Sequence, residues 1–205
     1  MRALLVLVML AGTAVADPLA KECDAQHGKP TRATPDRALA LKSTGEPLAR
    51  ITVRRHVMCG YENGVLARSV EHVYLYIASQ DRPDAHFSTG AAGMGPRYFI
   101  ECENAIQLAA GKVAYQPSCV HEMYDAKGQP NRITGVDSFR GQPTTLELVT
   151  ASTTAVALAF DITIGNRYET VRLAAKAKGA VTTTVQTFDC APQGNSKKPR
   201  PEVCR

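Results

Sequence analysis

An all-β fold, an antiparallel β-sandwich or partly open barrel with a C-terminal meander, is what this sequence predicts, and three observations carry the prediction. Residues 154–164 alternate without a break. Val156, Leu158, Phe160, Ile162 and Ile164 share one face, and Ala157, Ala159, Asp161 and Thr163 share the other. Further short segments of the same kind recur at regular spacing, and no stretch holds a long helical period. The connections between the C-terminal segments are too short for helical crossovers, so those strands run antiparallel.

Taken in order, residues 1–16 read as a secretory signal. Met1-Arg2 is followed by an apolar run from Ala3 to Gly12, and Ala14-Val15-Ala16 gives a small-x-small exit. Cleavage is expected before Asp17, releasing the chain to the periplasm or the medium. Beyond residue 16 no apolar run approaches the roughly 20 residues of a membrane span. Residues 17–49 are polar and rich in Pro, Thr and basic side chains, and they read as a lead-in with one short ordered piece at 38–42. Residues 50–190 are expected to form a single β-rich domain, and residues 191–205 a basic tail tethered by a disulfide.

Within the domain, Ile51, Val53 and Val57 mark one face of a first strand. Asn63-Gly64 marks a two-residue hairpin, because both positions of that turn need positive φ. In 69–79, Val73, Leu75 and Ile77 alternate with His72, Tyr74 and Tyr76. Residues 80–96 are a long Gly- and Pro-bearing loop. Strands are expected at 97–102 and 112–124, with a helical turn within 104–110 and a turn at 125–130. Then come strands at 144–150 and 154–164, a Gly165-Asn166 turn, a strand at 168–174, a Lys178-Gly179 turn and a last strand at 181–188 that completes the meander.

The 205 residues carry a formal charge of +5, with 44% hydrophobic and 21% charged residues and no Trp, which excludes a disordered or collagen-like chain. The basic excess is too small, and aromatics too sparse around it, for a nucleic-acid surface. Six cysteines, Cys23, Cys59, Cys102, Cys119, Cys190 and Cys204, fit up to three disulfides in an exported chain. Nearest neighbours suggest Cys23–Cys59, Cys102–Cys119 and Cys190–Cys204. No Cys-x-x-Cys is present, which argues against a zinc knuckle or a dithiol redox site.

Two His-x-Met units, His56-Val57-Met58 and His121-Glu122-Met123, are the most specific chemical feature. On a strand, residues two apart share a face, so each unit would offer an imidazole and a thioether side by side, a donor set suited to copper. A Cys59–Cys119 bridge would bring the two together. Met94 and His86 in the 80–96 loop are possible additions. The set His86, Met94, His121 and Met123 resembles the His…Met…His-x-Met pattern of periplasmic copper chaperones. That resemblance covers these four residues alone, and no Met-rich stretch follows Met123. The competing reading is plain packing, with Met as a gap filler.

No Gly-x-Ser-x-Gly elbow and no His-Glu-x-x-His helix is present. His86 with Ser88 and Asp81 or Asp84 is the best local set for a small secreted hydrolase. The favoured expectation is a non-catalytic binding or interaction module for a protein, glycan or small ligand. Its ligand would sit in the 80–96 loop or on the wet face that carries Tyr74 and Tyr76.

Overall fold

A computed structural model describes residues 17–45, 48–79, 97–104, 106–108, 111–113, 118–124, 130–134, 145–165, 170–190 and 201–205. Residues 1–16, the expected 80–96 loop with His86 and Met94, all of the expected 125–130 turn but Pro130, and Asn166 of the expected Gly165-Asn166 turn lie outside the described residues.

The chain begins with helix α1 (Pro18–Gln26), where composition alone suggests an irregular lead-in. Its start has a local cause: the Asp17 carboxylate accepts from the backbone N–H of Leu19, and Pro18 occupies the first turn, where its missing N–H loses nothing. Short strands β1 (Arg32–Ala33) and β2 (Ala40–Ser43) follow. Long strands β3 (Arg50–Glu62) and β4 (Val65–Ala78) then form a hairpin. Asn63 and Gly64 close it with φ of 52° and 78°, as the Asn-Gly pair predicts.

Strand β5 (Arg97–Glu103) comes next, then a small hairpin of β6 (Ile106–Gln107) and β7 (Lys112–Val113). The hairpin replaces the helical turn expected there. Ile106 and Leu108 are buried, a spacing of two that anchors extended chain to the core and leaves no helical stripe. The single strand expected over 112–124 is divided into β7 and β8 (Ser118–Tyr124), and β9 (Pro130–Thr134) follows. The last strands are β10 (Thr145–Ala151), β11 (Ala155–Gly165), β12 (Thr170–Ala180) and β13 (Thr182–Asp189).

These strands build two packed sheets, one ordered β1-β13-β3-β4-β5-β8-β9 and the other β10-β11-β12-β2. Their inner faces share one core. Ile51, Val53, Leu75, Ile77 and Ile100 of the larger sheet meet Val156, Leu158, Phe160, Ile162 and Leu173 of the smaller. The alternation of Val156, Leu158, Phe160 and Ile162 is thus the inner face of β11.

The expected meander is corrected at its last strand. Lys178 and Gly179 lie within β12, opposite Ala157 and Val156, and form no turn. β2 already occupies the free edge of β12, with Ala40 opposite Lys178. The chain therefore crosses at Ala180-Val181 into the other sheet, where β13 pairs parallel with β3 and antiparallel with β1. Val181 is buried at this crossing.

A second cluster (Cys23, Val57, Cys59, Tyr61 and Val185, with Leu19 and Leu66 against it) packs α1 on β3 beyond the reach of the smaller sheet. The Cys23–Cys59 disulfide fastens it, with Cα atoms 5.6 Å apart. Cys190–Cys204 anchors a 3-10 turn at Glu202–Cys204, and Val203 is buried there. Cys102 is also disulfide-bonded, and its register partner in β8 is Cys119. Among the described residues no cysteine is free, and no helix is long and apolar enough to cross a membrane.

Candidate functional site

The register of the larger sheet decides whether the two His-x-Met units meet. His56 and Met58 lie on β3; His121 and Met123 lie on β8, with β4 and β5 between. Three strand spacings set them about 14 Å apart across the sheet. His121 is in register with Ile100, Ile77 and Ile51, a row that crosses β3 five residues before His56, about 17 Å further along the strand. Cys59, which could have drawn them together, is bonded to Cys23. A single copper site that uses both units is therefore not assembled. Among the described residues no three His, Cys, Asp or Glu side chains converge as a metal site.

What stands around His56 is a ring array on the outer face of the larger sheet. The two-residue period of β3 sends Arg54, His56 and Met58 outward, and β4 does the same with His72, Tyr74 and Tyr76. His56 is directly opposite His72, and Arg54 opposite Tyr74. The Tyr74 and Tyr76 rings lie 6.1 Å apart with planes 24° from parallel. His72 stacks on the other side of Tyr74 at 6.2 Å, and His56 meets Tyr74 edge-on at 6.1 Å. The Arg54 guanidinium sits 4.8 Å from the centre of the Tyr76 ring. Tyr74 and Tyr76 are half-buried and His56 is exposed, so part of the array faces solvent.

Charge frames these rings. On β5, Glu103 and Glu101 stand opposite Tyr74 and Tyr76. His72 is 3.0 Å from Glu103 through Nδ1 and 3.1 Å from Glu202 of the anchored 3-10 turn through Nε2. Arg54 and Arg50 both reach Asp36, at 2.8 Å and 3.1 Å. Burial and the Glu103 carboxylate push the Tyr74 phenol up to about 12. Burial also holds the His56 imidazole below its ordinary value, helped by the positive charge of Arg54 and by His72. For Asp36, burial pulls upward, but the hydrogen bonds and charge of Arg54 and Arg50 outweigh it and hold the carboxyl below its usual range. At neutral pH the face thus presents neutral phenols and a largely neutral His56 among fixed carboxylates and guanidiniums.

The sequence carries a second feature that motif reading passes over. Arg55 occupies the same pleat as Ile51, Val53 and Val57, and the structure buries it to 3% exposure. Glu22 of α1 at 2.7 Å and Glu71 of β4 at 2.5 Å hold its guanidinium. The signal was available: a charged residue in phase with three apolar ones on a strand is a buried charge with partners elsewhere. Arg55 forms part of the wall of a cleft of about 420 Å³ between α1, β1, β13 and the chain crossing at 180–181. Arg32 and Arg37 line it as well.

Comparison with known protein families, with curated proteins and with solved structures finds no match for this chain.

Proposed function

We propose that the chain is an exported, non-catalytic binding module that holds a hydroxyl-rich ligand, a sugar ring being the simplest case, on the outer face of its larger sheet. The observation that carries this reading is Tyr74 with three rings around it, Tyr76 at 6.1 Å, His72 at 6.2 Å and His56 at 6.1 Å, on a half-open surface. A tyrosine ring offers apolar area at little entropic expense, and its hydroxyl keeps one end wet. The C–H face of a pyranose packs on such rings, while its hydroxyls reach groups of both signs. Glu101 and Glu103 are acceptors beside the rings, and Arg54 is a donor. Export is supported by the leader-like residues 1–16 and by the disulfides, which persist in oxidising compartments. Cleavage before Asp17 would leave the N-cap of α1 as the first residue.

Titration with a panel of oligosaccharides tests the reading. The chain contains no Trp, so tyrosine emission is its intrinsic reporter. Saturable change in that emission, lost in a Tyr74→Ala, Tyr76→Ala double variant that still melts cooperatively, is the expected result. No saturable response to any glycan, with intact folding, would overturn it.

A further inference from the structure

We infer that the cleft beside Arg55 is a second, independent site, and that it takes a compact organic anion bearing carboxylate or phosphate groups. Three arginines are among its lining residues, Arg32, Arg37 and Arg55, against one acidic residue, Glu22. That carboxylate is committed, since it binds Arg32 at 2.5 Å and Arg55 at 2.7 Å. Glu71, on the far side of Arg55, brings the local balance to one positive charge in excess. The excess resides at Arg37, which is exposed and whose guanidinium has no ion-pair partner among the described residues.

The wall that presents Arg37 is held in place. The Arg37 backbone N–H donates to the Thr182 hydroxyl at 3.2 Å. Thr34 extends the β1 ladder: its N–H donates to the Thr183 carbonyl at 2.9 Å, and its hydroxyl accepts from the Thr183 N–H at 2.7 Å. Little ordering is therefore left for a ligand to impose. A guanidinium fork matches carboxylate and phosphate oxygens two at a time and sheds water more readily than an ammonium. Pro35 and Val181 add apolar wall, which suits a carbon skeleton. The volume of about 420 Å³ falls within the range of small-molecule sites.

The test is calorimetric titration of the disulfide-intact chain with citrate and, separately, with inorganic phosphate, both at fixed ionic strength. Saturable binding of either probe is expected, and which of the two binds assigns the carboxylate or the phosphate class. Arg37→Gln should weaken it about tenfold or more, the loss expected for one charge-assisted pair, while Arg172→Gln, on the other sheet, should not. Tyr74→Ala should leave it unchanged, which separates this site from the ring face. Absence of saturable binding by both probes, or equal affinity in Arg37→Gln and the unaltered chain, would overturn the inference.

Discussion

Tyr61 is 4% exposed, and its ring stacks on His27 at 4.0 Å with planes 8° apart. Its hydroxyl is buried and has no hydrogen-bond partner among the described residues. Because a buried donor without a partner opposes folding, Tyr61→Phe should leave stability unchanged or raise it by up to about 1 kcal/mol; a loss of that size in a urea melt would contradict this. Gly60 is the reverse case. A Cβ there would lie 2.8 Å from the Val203 carbonyl oxygen and 2.9 Å from the Cys190 sulfur, and neither is the loose end of a side chain. Gly60→Ala should lower stability by about 1–3 kcal/mol as the anchored turn is pushed off β3. His56 adds a pH dependence. Its imidazole, held below 6.5 by burial, Arg54 and His72, resists protonation more when folded than when unfolded. The unfolded chain therefore takes up the proton first, and stability falls as pH drops below about 6.5. His56→Asn should flatten the melting temperature against pH as the pH falls below about 6.5, and an unchanged slope would show that His56 does not contribute.

Helix α1 shows how one element depends on its attachment. Nine residues are too few to hold a helix alone in water. Packing on Val57 and Tyr61, the Arg55–Glu22 pair and the Cys23–Cys59 bridge keep it on the sheet. The bridge closes a sequence separation of 36, which corresponds to about 3–4 kcal/mol on the chain-entropy estimate. Replacing both cysteines with Ser should lower stability by about that amount and open the 17–35 stretch to limited proteolysis before the sheets unfold. The strands themselves were legible because burial on one face writes period two directly into the sequence, most clearly in β11 and at Asn63-Gly64. α1 was not: Asp17-Pro18 is a start signal, but the segment is short and polar, and its burial comes from a disulfide and an ion pair that no local pattern encodes. The ring face was half legible. Alternation places Tyr74 and Tyr76 together, but the facing His56 and His72 follow only from the β3–β4 register. Arg55 was legible in its phase and overlooked, because its partners Glu22 and Glu71 are remote in sequence.

Across the whole molecule, the larger sheet is closed by strands from opposite ends of the sequence, since Thr182 of β13 pairs with Arg54 of β3. Such pairing requires a long loop to close before any contact repays it, so folding with the disulfides intact should take milliseconds to seconds. Stopped-flow tyrosine emission measures it, and a microsecond phase carrying the full amplitude would contradict it. A chain terminated after Ala180 should show no cooperative melt, because β3 loses its neighbour β13 and the core loses Val181.

That topology also sets an order of events as the polypeptide emerges. β3 and its hairpin partner β4 can pair early, but the opposite edge of β3 keeps its backbone donors and acceptors open until β13 is released. Eight consecutive positions, Arg54–Tyr61, wait in this way. An open edge of that length is a template for any passing strand, and the Arg54-Arg55-His56 run within it is the kind of charged stretch that discourages intermolecular ladder growth. The vulnerability of this protein to aggregation is thus greatest while β13 has yet to pair with β3.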